Sequence, residues 1–336
     1  MSEPGRGDQD LMVRAAWLYY VHGKGQEEVA RDLKISRFKV TRMLAQAREA
    51  GIVKISIQHE TSETLALGDW LAARYGLEEC ILTPPFDEQT GSLDDETADR
   101  LARRGVGLAG ANYLTRRLLG SPRLTIGVGC GRTVSAVVDA FTAFPKQNVR
   151  FVSVLGSLTR DVSLNNFEVV RLAQACSGEG YFLPAPLVVD EEGDVEVVLR
   201  QRPVQASLAL AREADFYLIS FGDCSPDAFL FRHGLLSRTD LEGLTAAGAV
   251  CEVAGKFFDR EGRLVECGVN ARTIGIAPED LKRTEVVMLA AGRSKAAALQ
   301  AVLKTGIVNR LIIDGELAGR LVAAMPTRER GQAKGL

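Results

Sequence analysis

Hydrophobic positions near the N-terminus recur at the spacing of two short helices separated by a tight turn. The first helix is predicted over residues 26–33, with an apolar face formed by Val29, Ala30 and Leu33. The second begins after Ser36, whose side-chain oxygen suits an N-cap. Its apolar face consists of Val40, Met43 and Leu44. Two crossing helices joined in this way predict a helix-turn-helix unit.

Polar and cationic side chains cover the other faces of the second helix, and they indicate DNA binding. Residues 24–54 hold eight Lys or Arg against four Asp or Glu, whereas the whole chain has a formal net charge of -2. Base edges and phosphates are contacted by the first turns of a recognition helix. The predicted DNA-binding residues are Gln26, Ser36, Arg37, Phe38, Lys39, Thr41 and Arg42. An ordinary solvated helix face is the alternative, but it does not account for the spacing of the apolar and capping positions.

A β-branched alternating run at residues 52–57 follows Gly51 and predicts the wing of a winged helix. An upstream helix is predicted from the apolar residues Leu11, Ala15, Leu18 and Tyr19. Together these elements predict a winged helix-turn-helix domain over residues 8–59. Residues 60–78 are predicted to form a linker or oligomerisation helix.

Strand-like and helix-like runs then alternate along the remaining chain. The predicted strands are 80–83, 124–128, 149–155, 215–221, 286–290 and 310–313. The predicted helices are 94–119, 135–141, 166–176, 295–304 and 316–324. This alternation predicts a Rossmann-like α/β domain over residues 79–325, with a parallel sheet covered by helices on both faces. A flexible tail is predicted for residues 326–336.

Ligands of such sheets bind at the carboxyl ends of the strands, so three loops there are candidates. A glycine-rich loop contributes Gly129, Cys130, Gly131, Arg132 and Thr133; a second contributes Gly156 and Ser157; a third contributes Arg293 and Lys295. Glycines permit close backbone approach, and amides at a helix N-terminus attract anions. The glycine cluster taken alone is equally typical of a tight turn. The three loops together predict a small polar ligand, with or without a phosphate group.

Composition restricts the class of protein. A chain of 336 residues with 46% hydrophobic and 25% charged residues suggests about two globular domains. No apolar run approaches the ~20 residues that span a bilayer, and the polar N-terminus lacks a signal-peptide core, which predicts a cytoplasmic protein. The six cysteines are scattered, so we expect neither a metal site nor a disulfide framework, and no cofactor.

Several ordered segments resemble the SorC family, also written SorC/DeoR, of sugar-responsive transcriptional regulators. The segments are VARDLKISRFKVTRMLAQAREAGIVKI, GVGCGRTV, NNFEVVRLAQACSGEGYFLPAP, GLLSRTDLEGLTAAGAVCEVAGKFFDREGRLV and AAGRSKAAALQAVLKTGIVNRLIIDGELAGRLV. The resemblance implies an effector domain similar to ribose-5-phosphate isomerase and glucosamine-6-phosphate deaminase. It further implies a homo-oligomer, dimer or tetramer, that binds double-stranded operator DNA and a small sugar, polyol or sugar-phosphate effector.

The resemblance also implies roles for single residues. The family's ligand loop matches residues 129–133, its sugar-facing acid matches Asp259, and its phosphate-contacting lysine matches Lys295. Glu252 falls at a position close to the pocket. Alternatives stay open: Asp259 as a hairpin-turn residue, Lys295 as a surface residue at a helix start, and Glu252 as a structural ion-pair partner. Cys130 replaces a bulkier residue that is frequent in the family, which implies a smaller pocket wall.

Two function classes are compatible with these residues. The first is a non-enzymatic DNA-binding regulator of a carbohydrate or polyol catabolic operon, controlled by its effector. The alternative is a sugar-phosphate isomerase or deaminase-like enzyme with an appended DNA-binding domain. Fusion to a DNA-binding unit favours the regulator, because a fold by itself does not fix function. The NNFEVV and EGYFLPAP segments are most similar to the polyol-responsive branch, while the effector's identity and the direction of its effect stay open.

Overall fold

The computed structural model describes residues 6–53, 62–85, 94–146, 148–157 and 167–325. Its internal contacts divide the chain into two compact units, residues 1–58 and residues 59–336. The predicted tail, residues 326–336, lies outside the described part of the chain. Among the helices of the described residues, none combines the length and the apolar character that crossing a membrane requires.

The described part of the first unit contains three α-helices around a small core. These are α1 (Arg6–Ala16), which continues as a π-helical turn (Trp17–Val21), α2 (Gln26–Leu33) and α3 (Arg37–Glu49). The core residues are Ala15, Ala16, Val29, Ala30, Val40, Leu44 and Ala47. The predicted bounds of α2 and the apolar face of α3 are therefore confirmed. Of the predicted wing, residues 52–57, Ile52 and Val53 are described and are not in a strand, and residues 54–57 lie outside the described residues.

Local backbone contacts fix the turn between α2 and α3. Lys34 adopts a left-handed conformation with φ of 53° and ends α2. The Ser36 Oγ accepts a hydrogen bond from the Lys39 backbone N at 3.2 Å, which confirms Ser36 as the N-cap of α3. Beyond α3, Gly51 also has a left-handed φ of 68°, as expected for a residue that ends a helix.

The second unit is a mixed α/β structure. Its strands are β1 (Glu79–Thr83), β2 (Leu124–Val128), β3 (Val149–Ser157), β4 (Glu179–Pro186), β5 (Phe216–Asp223), β6 (Ala249–Val253), β7 (Lys256–Asp259), β8 (Glu285–Ala290) and β9 (Arg310–Asp314). Its helices are α4 (Ser62–Tyr75), α5 (Asp95–Gly120), α6 (Arg132–Ala140), α7 (Phe167–Cys176), α8 (Glu192–Leu199), α9 (Arg202–Arg212), α10 (Phe229–Arg232), α11 (Arg238–Ala246), α12 (Gly268–Arg272), α13 (Pro278–Leu281), α14 (Ala296–Lys304) and α15 (Gly315–Ala323). A 3-10 turn over Arg293–Lys295 precedes α14.

Seven strands form one parallel sheet in the order β1-β9-β8-β5-β2-β3-β4. The chain runs outward from β2 to β4, then returns to the other side of β2 at β5. The winding direction therefore reverses between β2 and β5, and a crevice is expected at their carboxyl ends. The antiparallel hairpin β6-β7 extends β5 there, with Asp223 opposite Cys251.

Both faces of the sheet are buried, because alternate residues of its strands enter two separate cores. On β5, Phe216 and Leu218 lie in one core while Tyr217 and Ile219 lie in the other. The same alternation holds on β8 and β9. A sheet covered on both faces produces continuous apolar strand segments, and this explains why these strands were readable from the sequence.

The sequence did not predict β4, the hairpin β6-β7 or the helices α8 to α13. The β4 segment EGYFLPAP contains a glycine and two prolines, which weaken a strand pattern but are tolerated at the sheet edge where β4 lies. The predicted start of α6, at residue 135, was three residues too late. The helix begins at Arg132 rather than Ser135, so Gly131 is its N-cap.

Substitution of Gly127 by Ala is expected to destabilise this unit. A Cβ at position 127 would lie 2.2 Å from Cδ1 of Tyr217, which is fully buried. Forcing extra atoms into a packed core costs about 1–3 kcal/mol. The measurement is the free energy of unfolding in urea. Gly120→Ala is the matched control, because its Cβ would meet nothing within 4 Å, and equal losses in the two variants would contradict the packing account.

Candidate functional site

A cavity lies at the carboxyl ends of β2 and β5, where the winding direction reverses. Its walls come from the loop after β2, the end of β5, the β6-β7 hairpin and the turn before α14. The predicted residues Gly129, Cys130, Gly131, Arg132, Thr133, Glu252 and Lys295 all line it. The tertiary structure thus brings together two of the three loops that the sequence singled out.

The glycine-rich loop places the N-terminus of α6 at the cavity wall. Gly129 N donates to Leu218 O at 3.0 Å, and Ser220 Oγ donates to Cys130 O at 3.2 Å. Gly131 has a φ of 115°, a conformation that favours glycine, and α6 begins directly after it. The amides of the first helical turn lack acceptors within a helix, so this wall suits an anion.

Lys295 supplies a partly buried ammonium group. Its Nζ donates to Phe221 O at 2.9 Å and lies 5.0 Å from the centroid of the Phe221 ring. Burial lowers the pKa of Lys295 to about 8, and the charges of Asp223 and Glu252 offset that decrease in part while the cations Arg132 and Arg103 reinforce it.

Backbone hydrogen bonds hold the turn that carries Lys295. Gly292 N donates to Asp314 Oδ2 at 3.0 Å, and Arg293 N donates to Asp99 Oδ1 at 2.9 Å. The Arg293 guanidinium points to Glu316 and Asp95, with ion pairs of 2.7 and 3.1 Å. Arg293 therefore stabilises the turn rather than lining the cavity.

The Glu252 carboxylate faces backbone amides rather than a cation. Gly255 N donates to Glu252 Oε1, and burial raises the pKa of this carboxyl group. Within the described residues no cation pairs with Glu252 inside 4 Å, so the ion-pair alternative has no support there. Gly222 makes room for the group, since a Cβ at that position would lie 2.8 Å from Glu252 Oε2.

Asp259 is not among the cavity-lining residues and lies at the end of β7 instead. Its Oδ1 accepts hydrogen bonds from the backbone N of Glu261 and of Arg263, both at 2.9 Å. Its Oδ2 pairs with Arg263 Nε at 2.8 Å. The carboxylate closes the turn after β7, which is the alternative role that the sequence left open.

The second predicted loop also differs from expectation, because Gly156 and Ser157 are not among the cavity-lining residues. Gly156 is a packing position, since a Cβ there would lie 2.3 Å from Pro186 O. Ser157 O accepts from Leu187 N at 2.9 Å. Strand β3 contributes Leu155 to the cavity instead, and residues 158–160 of the loop lie outside the described residues.

Sequence reasoning missed two charged groups of the cavity. Arg103 reaches it from the middle of α5, and Asp223 lies at the end of β5. Asp223 Oδ1 accepts from Ser225 N at 3.0 Å and from Ser225 Oγ at 2.6 Å. No local sequence pattern distinguishes Arg103 from the other arginines of α5. Asp223 could have been found, because it lies at the carboxyl end of a predicted strand, where ligands bind in such sheets. Cys130 lines the wall as a neutral thiol, because burial raises its pKa.

Some of the predicted DNA-binding residues make contacts within the first unit, and others are exposed to solvent. Arg37 pairs with Glu27 at 3.1 Å, and Thr41 Oγ1 donates to Gln26 Oε1 at 3.0 Å. These contacts tie the start of α2 to the first turns of α3. Phe38, Thr41 and Arg42 are exposed, and Ser36 acts as the cap.

Comparisons with known proteins agree with this fold. A family model described as "Putative sugar-binding domain" matches residues 59–323. The erythritol catabolism regulatory protein EryD of Brucella abortus (strain 2308) is 33% identical over 316 residues, covering 94% of this chain and 97% of that protein. The deoxyribonucleoside regulator of Bacillus subtilis (strain 168) is 29% identical, covering 94% and 98%. The full-length sorbitol operon regulator SorC from Klebsiella pneumoniae has a TM-score of 0.71 at 24% identity, covering 96% and 99%.

The structural similarity to SorC supports the fold, and the sequence matches to the family model and to EryD support the family. The similarity spans both units of the chain. The relatives are named as regulators, so the enzyme alternative has no support. The resemblance to sugar-phosphate isomerases stays a prediction. From the family model and from the identity to EryD over nearly the whole length, the chain belongs to the SorC family of sugar-binding transcriptional regulators.

Proposed function

We propose that this protein regulates a carbohydrate or polyol catabolic operon by binding operator DNA through α3, under the control of a small phosphorylated polyol or sugar in the cavity. The names of two similar proteins refer to polyols, erythritol for EryD and sorbitol for SorC. These names support a polyol-type effector for this chain.

One observation carries the proposed phosphate group: three cations line the same cavity as the N-terminus of α6. They are Arg103, Arg132 and Lys295. Among the lining residues that the structure describes, two are carboxylates, Glu252 and Asp223. Burial disfavours the charged form of Glu252 and raises its pKa. A ligand with one phosphate group would offset this excess of positive charge.

The rest of the cavity suits a hydroxylated carbon chain. The Glu252 carboxyl, the Thr133 hydroxyl and the Asp223 carboxylate offer hydrogen-bond partners, and Cys130 and Phe229 offer apolar surface. A neutral polyol is the second candidate, favoured by the carboxyl groups and by the names of the two similar proteins. The two candidates differ in their need for Lys295.

Effector and operator binding would be coupled by linkage. An effector that prefers one arrangement of the proposed homo-oligomer alters operator affinity, and operator DNA must alter effector affinity by the same factor. The oligomeric state stays a prediction, as does the direction in which the effector shifts DNA binding.

A thermal-shift panel tests the effector class. Erythritol, sorbitol and their monophosphates would be compared on the full-length protein. The phosphorylated compound that binds should raise the melting temperature by about 5–10 °C at about 100 times its Kd. Lys295→Met should abolish that shift, whereas Lys282→Met, an exposed lysine outside the cavity, should keep it. A shift produced by a neutral polyol and retained in Lys295→Met would establish the second candidate instead.

Affinity for the phosphorylated effector should fall with rising pH. The pKa of Lys295 is about 8 without ligand, so the group loses its positive charge above that pH. A bound phosphate favours the charged ammonium, and the phosphate itself stays dianionic above pH 7. Between pH 7 and pH 9 the affinity should therefore decrease about tenfold. Isothermal titration calorimetry measures it, and a wild-type affinity that stays constant between pH 7 and pH 9 would contradict the assignment of Lys295.

The proposed DNA contact is tested at Arg42. Arg42→Ala should weaken binding to a selected operator by about tenfold or more, and binding to random duplex by less, because a base contact adds to the phosphate attraction. The measurement is fluorescence anisotropy over a range of salt concentrations. Arg283→Ala removes an exposed arginine of the second unit and should leave the affinity unchanged. Operator affinity unaltered by Arg42→Ala would exclude α3 as the recognition helix.

A further inference from the structure

Phe38 is a large apolar side chain that the protein leaves in solvent. It is 79% exposed, more than any other large hydrophobic residue in the described part of the chain. Its position on α3 explains this exposure. At about 100° per residue, Phe38 points almost directly away from the buried residues Val40, Met43, Leu44 and Ala47. The side chain therefore adds nothing to the core of the first unit.

The surroundings of Phe38 indicate what covers it. Arg37 and Thr41 lie beside it on α3, and Arg42 follows one turn later on the same face. All three are exposed. A second copy of this surface is a poor occupant, because two such helices would bring like-charged arginines together. A polyanion that also offers an apolar group fits both features. In the major groove of DNA that apolar group is the 5-methyl of thymine.

We propose that Phe38 is a specificity-determining residue that packs against the 5-methyl group of a thymine in the operator. This rests on the proposed function, since it requires α3 in the major groove. The distance between Phe38 and Arg42 on α3 limits how far apart the two bases that they contact can be. Side chains four positions apart on a helix are about 5–6 Å from each other, and stacked bases are about 3.4 Å apart. The thymine read by Phe38 should therefore lie within about two base pairs of a guanine read by Arg42.

The experiment begins with the operator. The purified full-length protein selects binding sequences from a random duplex library, and each thymine of the selected sequence is then replaced in turn by deoxyuridine. This replacement removes one methyl group and leaves base pairing intact. For the wild type, one thymine in each half-site should lose about fourfold in affinity, the effect of one buried methyl-sized group. That thymine should lie close to an invariant guanine.

Two variants assign the effect to Phe38. In Phe38→Ala the thymine duplex should bind several-fold more weakly than in the wild type, and the deoxyuridine duplex should bind no more weakly than the thymine duplex. Phe38→Leu should retain part of the discrimination. Leu119→Ala is the matched control, because Leu119 is also highly exposed, at 67%, and lies in the second unit. It should keep the full deoxyuridine effect. Circular dichroism should confirm intact folding in each variant.

The outcomes separate the inference from the function on which it rests. Failure to select any sequence would overturn the proposed DNA binding itself. A selected operator that binds equally well with deoxyuridine at every thymine would overturn the role of Phe38 alone. The role of Phe38 would also be overturned if Phe38→Ala showed the same decrease in affinity as the wild type when deoxyuridine replaces the sensitive thymine. A changed sedimentation coefficient in Phe38→Ala with unchanged thymine discrimination would identify Phe38 as a subunit contact instead.

Discussion

The reversal of winding between β2 and β5 is the constraint on which the rest of the second unit depends. Parallel strands place all their carboxyl ends at one edge, and the reversal separates the two connecting segments so that a crevice remains between them. The glycine-rich loop, the end of β5 and the turn before α14 converge on that crevice. The β6-β7 hairpin then closes one side of it and introduces Glu252.

Burial sets the electrostatics of this cavity. It lowers the pKa of Lys295 and raises the pKa of Glu252, since both charged forms are disfavoured away from water. A folded-state pKa of about 8 for Lys295 means that burying its ammonium group costs stability at neutral pH, and this cost is relieved as the pH rises above 8. An anionic ligand would relieve it without a change of pH. Binding of an anion in the cavity would therefore stabilise the folded protein.

The first unit follows a different principle, because its candidate contacts are exposed and locally organised. Glu27 and Gln26 at the start of α2 hold Arg37 and Thr41 of α3. The Arg37–Glu27 ion pair is exposed on both sides, so it contributes little to stability. Under the proposed function, Arg37 would exchange this ion pair for a contact with DNA. The side chains that lack a role in the core, Phe38 and Arg42, face away from it.

The sequence by itself determined the local features of both units. The spacing of Val29, Val40 and Leu44, the cap at Ser36 and the buried strands could be read directly, because such patterns depend on residues within one or two turns or on a run of apolar positions. The glycine-rich loop and Lys295 were found for the same reason. Only the tertiary structure decided which of the candidates meet. Asp259 has the same chemistry as Asp223, yet one closes a turn and the other lines the cavity. Arg103 enters from a helix whose sequence distance from Lys295 is nearly two hundred residues. Strand order and side-chain direction are set by packing between distant segments, and no local pattern in the chain encodes them.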